Sequence, residues 1–332
     1  MKKKIAIIFT GGTISMKIDP RLNAAIPALS GKDILHMVTG IEDYAEIEML
    51  QFGEYPGPHV TPQIMFNLKK MLENVLLRED ISGAVVTHGT DTLEETAYFL
   101  DLTLKTQKPV IVTGSMRNSS ELGYDGPSNI ASSICTAISE QAKGKGVLVV
   151  FNNEINAASE VTKTHTLSLD TFKSPDFGPL GIVDNDEAIF YRDILYHDYI
   201  PTENIEPRVS LLKTVAGMDD RLFKFLVDSG EKGIVIEGTG RGNVTPRMVE
   251  GIKYAISNGT VIVLVSRCSR GRVLDTYGYE GGGKNLTSMG VILGDNLPGQ
   301  KARIKLMIAL GYTNNHDEIR EIFERDIYKR RR

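Results

Sequence analysis

Four short apolar runs constrain this chain more than any other feature. They read IAIIF at 5–9, AVVT at 84–87, VIVT at 110–113 and VLVVF at 147–151. Each is rich in β-branched residues and none alternates with polar ones, the pattern of strands covered on both faces. Segments of helical spacing lie between them. Thr61-Pro62 opens one, with proline at the first helical position, and it runs to about Leu77. Another covers 92–105, where Leu93, Ala97, Leu100 and Leu104 recur every three or four residues and Thr92 followed by Glu95 reads as a capping box. A third covers 127–140. This alternation predicts a parallel sheet between layers of helices. It restarts later, with strands at 209–215, 233–236 and 261–265 and helices at 219–228, 246–257, 300–310 and 316–327.

The two blocks are separated by a polar, aromatic stretch, IFYRDILYHDYIPTENIEP. With 332 residues the chain exceeds one typical domain. The expectation is a two-domain α/β protein. A larger N-terminal domain (1–188) carries a mostly parallel sheet flanked by helices, a linker spans 189–207, and a smaller C-terminal α/β domain covers 208–332.

Composition narrows the function classes. A net charge of −4 argues against nucleic acid as the main partner. The basic run at 329–332 reads as a solvated terminus. The opening MKKKIAIIF imitates a secretory leader, but its apolar run is shorter than such a leader needs, and no stretch approaches the length of a membrane span. The expected location is therefore the cytoplasm, with no membrane partner. Cys135 and Cys268 are far apart and form no CxxC, so they are expected as buried free thiols in a reducing compartment. The six histidines are scattered without ligand spacing, and neither metal nor cofactor is expected.

In open α/β sheets ligands bind beyond the carboxyl ends of the strands. Three of the four runs end in hydroxyl and glycine residues: Thr10-Gly11-Gly12-Thr13, Thr87-His88-Gly89-Thr90-Asp91-Thr92, and Thr113-Gly114-Ser115-Met116-Arg117. The first fits neither GxxxxGK[ST] nor GxGxxG, and no helix pattern follows it, so a phosphate cradle is disfavoured. There is no GxSxG elbow. A hydroxyl held on a glycine turn can approach a carbonyl, and it becomes a nucleophile if a base takes its proton. A lysine can be that base if burial favours its neutral form. A nearby acid can orient the lysine or hold a substrate ammonium. Each threonine also has a plain structural reading, satisfying backbone groups at a strand end or starting a helix. Glu94 and Glu95 are assigned to capping and Arg117 to structure.

Two segments, TGGTIS at 10–15 and THGTDTLEETAYFLDL at 87–102, resemble the paired signature motifs of the bacterial L-asparaginases. KPVIVTGSMR, DGPSNI, VTKTHT, FKSPDFGPLG, GRGN and PGQKARI resemble further segments of that family in the same order, so the resemblance spans nearly the whole chain. It implies hydrolysis of asparagine to aspartate and ammonia through a covalent acyl-enzyme. Thr13 matches the family's nucleophile, and Thr90, Asp91 and Lys163 match its second catalytic set, with the Asp91 position binding the substrate α-ammonium. Backbone N–H groups near Gly89 and Thr90 would face the oxyanion, and Ser115 and Met116 would lie beside the substrate side chain. The resemblance also implies a homodimer or homotetramer whose neighbouring subunit brings Asn243 and Glu280 to the ammonium site.

The chain departs from the family twice. Many members carry a tyrosine in the loop after TGGTI, whereas residues 15–30 contain none. The proton acceptor for Thr13 is then Lys163 through Thr90, or a group from elsewhere such as Tyr277 or Tyr279. The loop at 16–29 reads as an irregular lid. Where many members bind the substrate α-carboxylate with Ser-Gln, this chain has Glu54-Tyr55-Pro56-Gly57-Pro58-His59. Proline has no N–H to offer, which leaves the backbone N–H of Gly57 or His59, or the His59 imidazole. The alternatives are a glutaminase or mixed enzyme, the amidase component of a transamidation complex, and a non-catalytic amino-acid-binding protein.

Overall fold

A computed structural model describes residues 2–194 and 197–324. It divides into two compact units between residues 199 and 200. The first unit runs β1 (Lys3–Phe9), β2 (Met16–Asp19), β3 (Ala24–Pro27), α1 (Gly31–His36), α2 (Ile41–Tyr44), β4 (Ala45–Gln51), α3 (Pro62–Leu77), β5 (Ile81–Thr87) and α4 (Leu93–Thr103). It continues through β6 (Val110–Thr113), α5 (Gly126–Ile138), β7 (Val147–Phe151), β8 (Glu154–Ala157), β9 (Thr162–Lys163), β10 (Phe172–Lys173), β11 (Gly181–Asp184) and β12 (Glu187–Phe190).

Eight of these strands form one sheet in the order β12-β11-β8-β7-β6-β5-β1-β4. The five from β7 to β4 run parallel, and β8, β11 and β12 join antiparallel. Both faces are covered, which is why the four runs are unbroken apolar. Ile5, Ile7, Phe9, Val85, Ile111 and Leu148 share one cluster with Ile130 and Ile134 of α5. Ala6 and Ile81 pack with Val75 of α3 on the other face. Each such isoleucine or valine contributes about 1.5–3 kcal/mol by leaving water.

The second unit has β13 (Val209–Lys213), α6 (Arg221–Asp228), β14 (Gly233–Gly238), α7 (Pro246–Ser257), β15 (Val261–Ser266), α8 (Gly283–Ser288), β16 (Ile292–Leu293), α9 (Gly299–Tyr312) and α10 (His316–Phe323). Its sheet, β13-β14-β15-β16, is fully parallel. Phe223 of α6 and Met248 and Ile252 of α7 pack with Ile234, Ile236 and Ile262. The chain is thus a two-domain α/β protein with the larger unit first.

Several expectations are corrected. The stretch at 16–29 is not irregular. It contains the hairpin β2–β3, in register from Met16 opposite Pro27 to Asp19 opposite Ala24. Asp19 Oδ1 accepts the N–H groups of Arg21 and Leu22, and Asn23 takes the left-handed conformation, φ 49°, that closes the turn. The capping box at Thr92 does not form, because the Thr92 hydroxyl donates instead to Gly57 O at 2.7 Å. Cys135 is buried as expected, but Cys268 is exposed. It lies two residues beyond Ser266, the last residue of β15, in a polar turn that gives it no cover. Within 189–207, Ile189 and Phe190 already pair in β12, and Arg192 binds Glu160 of the first unit. The basic run at 329–332 and the last three residues of the helix expected at 316–327 lie outside the described residues.

Candidate active site

Strand β1 lies between β4 and β5, and the chain visits β4 before it reaches β5. That reversal is a topological switch point, where the turns beyond the carboxyl ends diverge and leave a crevice. The turns there are 10–13 after β1, 52–59 after β4, 88–92 after β5 and 114–117 after β6. They touch one another through backbone. Tyr55 N–H donates to Thr10 O at 2.7 Å, Thr10 Oγ1 donates to Thr87 O at 2.7 Å, and His88 N–H donates to Thr113 O at 2.7 Å. Thr10 is therefore structural.

Glycine is required at two of these contacts. Gly12 has φ 89°, and a Cβ there would overlap the backbone of Gly89. A Cβ on Gly89 would stand 2.6 Å from Gly57 N. The turns carrying Thr13, Thr90 and Gly57 thus abut with no side chain between them.

Thr13 opens a single turn of 3₁₀ helix, Thr13–Ser15. Ser15 stitches that turn shut, its N–H and hydroxyl donating to Gly12 O at 3.0 and 2.9 Å. Thr13 is half-buried, and its hydroxyl makes no hydrogen bond among the described residues. The Tyr124 hydroxyl donates to Ile14 O, the next residue's carbonyl, at 2.6 Å.

Thr90, Asp91 and Lys163 come together. Lys163 Nζ donates to Thr90 Oγ1 at 3.0 Å and to Asp91 Oδ1 at 2.7 Å. The lysine arrives on β9, where it pairs with Phe172 of β10. The Phe172 ring lies 4.4 Å from that of Phe151, at the end of β7. An aromatic contact to the main sheet therefore fixes the strand that delivers the amine. The N–H groups of Gly89 and Thr90 donate to no acceptor among the described residues, leaving them available to an oxyanion.

His88, which the sequence offered only as one scattered histidine, is buried beneath this turn. Its Nδ1 lies 2.8 Å from Gly89 O and its Nε2 lies 2.9 Å from Thr96 Oγ1. Burial pushes the imidazole pKa down to about 4, so it is neutral at physiological pH. A carbonyl can only accept, so Nδ1 carries the proton and Nε2 accepts from Thr96. The ring fixes the direction of the Gly89 carbonyl.

The turn at 114–117 is held from α5. The Asp125 carboxylate accepts the N–H groups of Met116 and Arg117, each at 3.0 Å. Asn129 Nδ2 donates to Asp125 Oδ2 at 2.9 Å and to Gly114 O at 3.0 Å. Ser115 is buried and its hydroxyl donates to Arg117 O at 2.7 Å, inside its own turn. Arg117 Nη1 donates to Leu122 O at 2.9 Å, a structural role.

At 56–59, Gly57 is buried and His59 exposed. His59 N–H donates to Pro56 O at 2.9 Å, so that donor is already engaged while the His59 imidazole faces solvent. Asn243 and Glu280 belong to the second unit, as do Tyr277 and Tyr279, whose rings lie 5.5 Å apart. Asn243 Nδ2 donates to Thr239 O at 3.5 Å beside the bridge that pairs these two residues, and Glu280 is exposed. Among the described residues no group of three or more His, Cys, Asp or Glu could hold a metal ion.

The first unit therefore offers a half-buried hydroxyl on a rigid turn, a hydroxyl–amine–carboxylate relay beside it, and backbone donors without acceptors. Such a set suits acyl transfer.

The family model described as Asparaginase, N-terminal, matches residues 4–196, and that described as Glutaminase/Asparaginase C-terminal domain matches 208–323. The chain is 41% identical over 310 residues to the L-asparaginase of Bacillus licheniformis, covering 93% of this chain and 96% of that one. It is 31% identical over 336 residues to the glutaminase-asparaginase of Pseudomonas fluorescens biotype A, covering 96% and 89%. The crystal structure of a probable cytoplasmic L-asparaginase from Campylobacter jejuni superposes with a TM-score of 0.87 at 34% identity, covering 97% of this chain and 99% of that one.

Proposed function

The chain belongs to the asparaginase family, and from that premise we propose that it is an amidohydrolase converting L-asparagine to L-aspartate and ammonia, with Thr13 as nucleophile. The observation that carries the proposal is the reach of one amine, Lys163 Nζ, to Thr90 Oγ1 at 3.0 Å and Asp91 Oδ1 at 2.7 Å on the turn packed against Gly12.

Thr13 Oγ1 attacks the side-chain amide carbon, and its proton passes through Thr90 to Lys163 and on to the amide nitrogen. The N–H groups of Gly89 and Thr90 stabilise the oxyanion. The C–N bond breaks, ammonia leaves, and an ester on Thr13 remains. Water then attacks the ester, giving up its proton along the same route. Aspartate departs and Thr13 regains its proton. Asp91 receives the substrate α-ammonium, which competes with Lys163 for the carboxylate and adds a like charge beside the amine.

The α-carboxylate is received by Gly57 N–H and the His59 imidazole, and the substrate side chain lies beside Ser115 and Met116. The same reading holds the enzyme to be cytoplasmic, and to act as a homodimer or homotetramer in which a neighbouring copy supplies Asn243 and Glu280. No helix among the described residues is long and apolar enough to cross a membrane.

The test is ammonia release from asparagine by the wild type and by Thr13→Ala. The variant is expected to fall by at least about 10³-fold, the scale of losing a nucleophile. Full activity in Thr13→Ala would remove the assignment, and glutamine in the same assay ranks the two substrates.

A further inference from the structure

We propose that Tyr124 is a positioning residue for the nucleophile: its hydroxyl, bonded to the Ile14 carbonyl, sets the orientation of the turn that aims Thr13. The proposal rests on the reading of Thr13 as nucleophile. The loop at 15–30 contains no tyrosine, and its bonds to the turn, from Ser15, Ala28 and Leu29, go to Gly12 O and Ser15 O and leave Ile14 O to another donor. Among the described residues, Tyr124 is the one side-chain donor from outside that bonds the turn Thr13–Ser15, at 2.6 Å. No backbone N–H donates to Ile14 O, and Ile14 is fully buried. Without the phenol that carbonyl is left unpaired away from water, and the turn must rotate to find a partner. A small rotation at Ile14 acts on the adjacent Thr13, and reactive geometry tolerates little displacement.

Tyr124 is itself well held. The next residue, Asp125, is fixed by the N–H groups of Met116 and Arg117 and by Asn129. Burial, with the Asp125 charge nearby, raises the phenol's pKa, so it stays a donor through the neutral range. One segment thus sets both the Thr13 turn and the 114–117 turn.

Two variants test this. Tyr124→Phe deletes the hydroxyl and keeps the ring. Gly126→Ala keeps the hydroxyl but displaces it, because a Cβ on Gly126 would overlap the Tyr124 ring and oxygen. Gly126 sits at the start of α5, where alanine suits the helix. Tyr98→Phe, which removes a more deeply buried hydroxyl from α4, is the control. Activity is read per folded molecule, with the folded fraction taken from circular dichroism at the assay temperature.

For Tyr124→Phe we expect kcat and kcat/KM to fall together by about tenfold, the signature of lost transition-state alignment, with aspartate affinity by calorimetry within about twofold. Gly126→Ala is expected to fall in the same direction and Tyr98→Phe to stay near wild type. The proposal is overturned if Tyr124→Phe keeps kcat within about twofold of wild type, or if aspartate affinity falls as much as kcat. If Tyr124→Phe does not fold, Gly126→Ala decides by the same criteria. Should Thr13→Ala retain activity, the parent reading fails; should it be inactive while Tyr124→Phe is unaffected, only this proposal fails.

Discussion

Replacing Lys163 separates its charge from its basicity. In the folded protein the amine donates to Thr90 Oγ1 at 3.0 Å and Asp91 Oδ1 at 2.7 Å. Arginine can make both bonds, but it cannot give up its charge and so cannot act as a base. Methionine makes neither bond and keeps much of the stem's packing. The Asp91 side chain is 60% exposed and that of Lys163 17% exposed, so solvent screens the pair and its contribution to stability is at most about 1 kcal/mol. A general base contributes about 10²–10⁴-fold to rate, or about 3–5 kcal/mol of barrier. The two consequences therefore differ by several-fold in energy and can be read apart. Both variants are expected to unfold in urea near the wild-type midpoint, while kcat for asparagine falls by at least about 10²-fold in Lys163→Arg as well as in Lys163→Met. Steady-state ammonia release measures the second quantity. A Lys163→Arg enzyme within tenfold of wild type would show that the position needs a charge and not a base, and the relay through Thr90 would be wrong.

Two further outcomes follow from the same turn. His88 is neutral in the fold, with its pKa lowered from 6.5 to about 4 by burial; the unfolded chain gains a proton below about pH 6.5 that the folded one refuses, so stability present above that pH drains away by about 1.4 kcal/mol per unit, reaching about 3 kcal/mol near pH 4. Hydrogen exchange of the β5 and α4 amides should show that slope in the wild type and not in His88→Asn, and equal slopes would refute it; taking the difference between the two proteins cancels the opposite-signed contribution of His197, whose pKa is raised chiefly by its bond to Asp101. Gly89→Ala puts a methyl 2.6 Å from Gly57 N and should push the 56–59 turn off the 88–92 turn, raising KM for asparagine at least about tenfold; an unchanged KM would mean that the contact has no part in substrate binding.

The sheet was legible because a strand covered on both faces has few ways to be written. The runs ending at Phe9, Thr87, Thr113 and Phe151 each became a strand with the same last residue. β4 went unread although its signal was present. Its sequence opens AEIE, alternating as an edge strand does, with one parallel neighbour, β1; Glu46 is exposed, and Glu48 pairs with Lys4 and Arg78. The hairpin β2–β3 is masked in the sequence by Pro20 and Pro27, since proline interrupts regular structure. Its turn depends on one carboxylate accepting two N–H groups, and that is decided by the conformation rather than by the run of residues. Thr92 illustrates the same limit: a threonine three residues before a glutamate fits a cap, but Gly57 O, brought in from another strand end, is the acceptor it bonds.

The site was legible as residue types at strand ends and illegible as tethers. Nothing in the spacing of Tyr124 from Ile14 announces a bond across 110 residues. The loop that supplies it is attached at several points at once, among them Ser120 Oγ, which accepts the Ile18 N–H at 3.1 Å. Ser119 donates through its N–H and hydroxyl to Met16 O at 3.1 and 2.9 Å, where the hairpin begins. Tyr124 bonds Ile14, and Asp125 holds Met116 and Arg117. The turns at 10–13, 54–57 and 88–91 fix one another through glycine contacts that leave no room to adjust. Thr13 lies where that rigid cluster meets the 117–125 loop, so its aim is set from two sides, by Gly12 against Gly89 and by Tyr124 on Ile14. A displacement of the hairpin at Met16 acts on the same 3₁₀ turn within three residues of Thr13. The hairpin and the hydroxyl are thereby joined through covalent chain and through the side chains of Ser119, Ser120 and Tyr124.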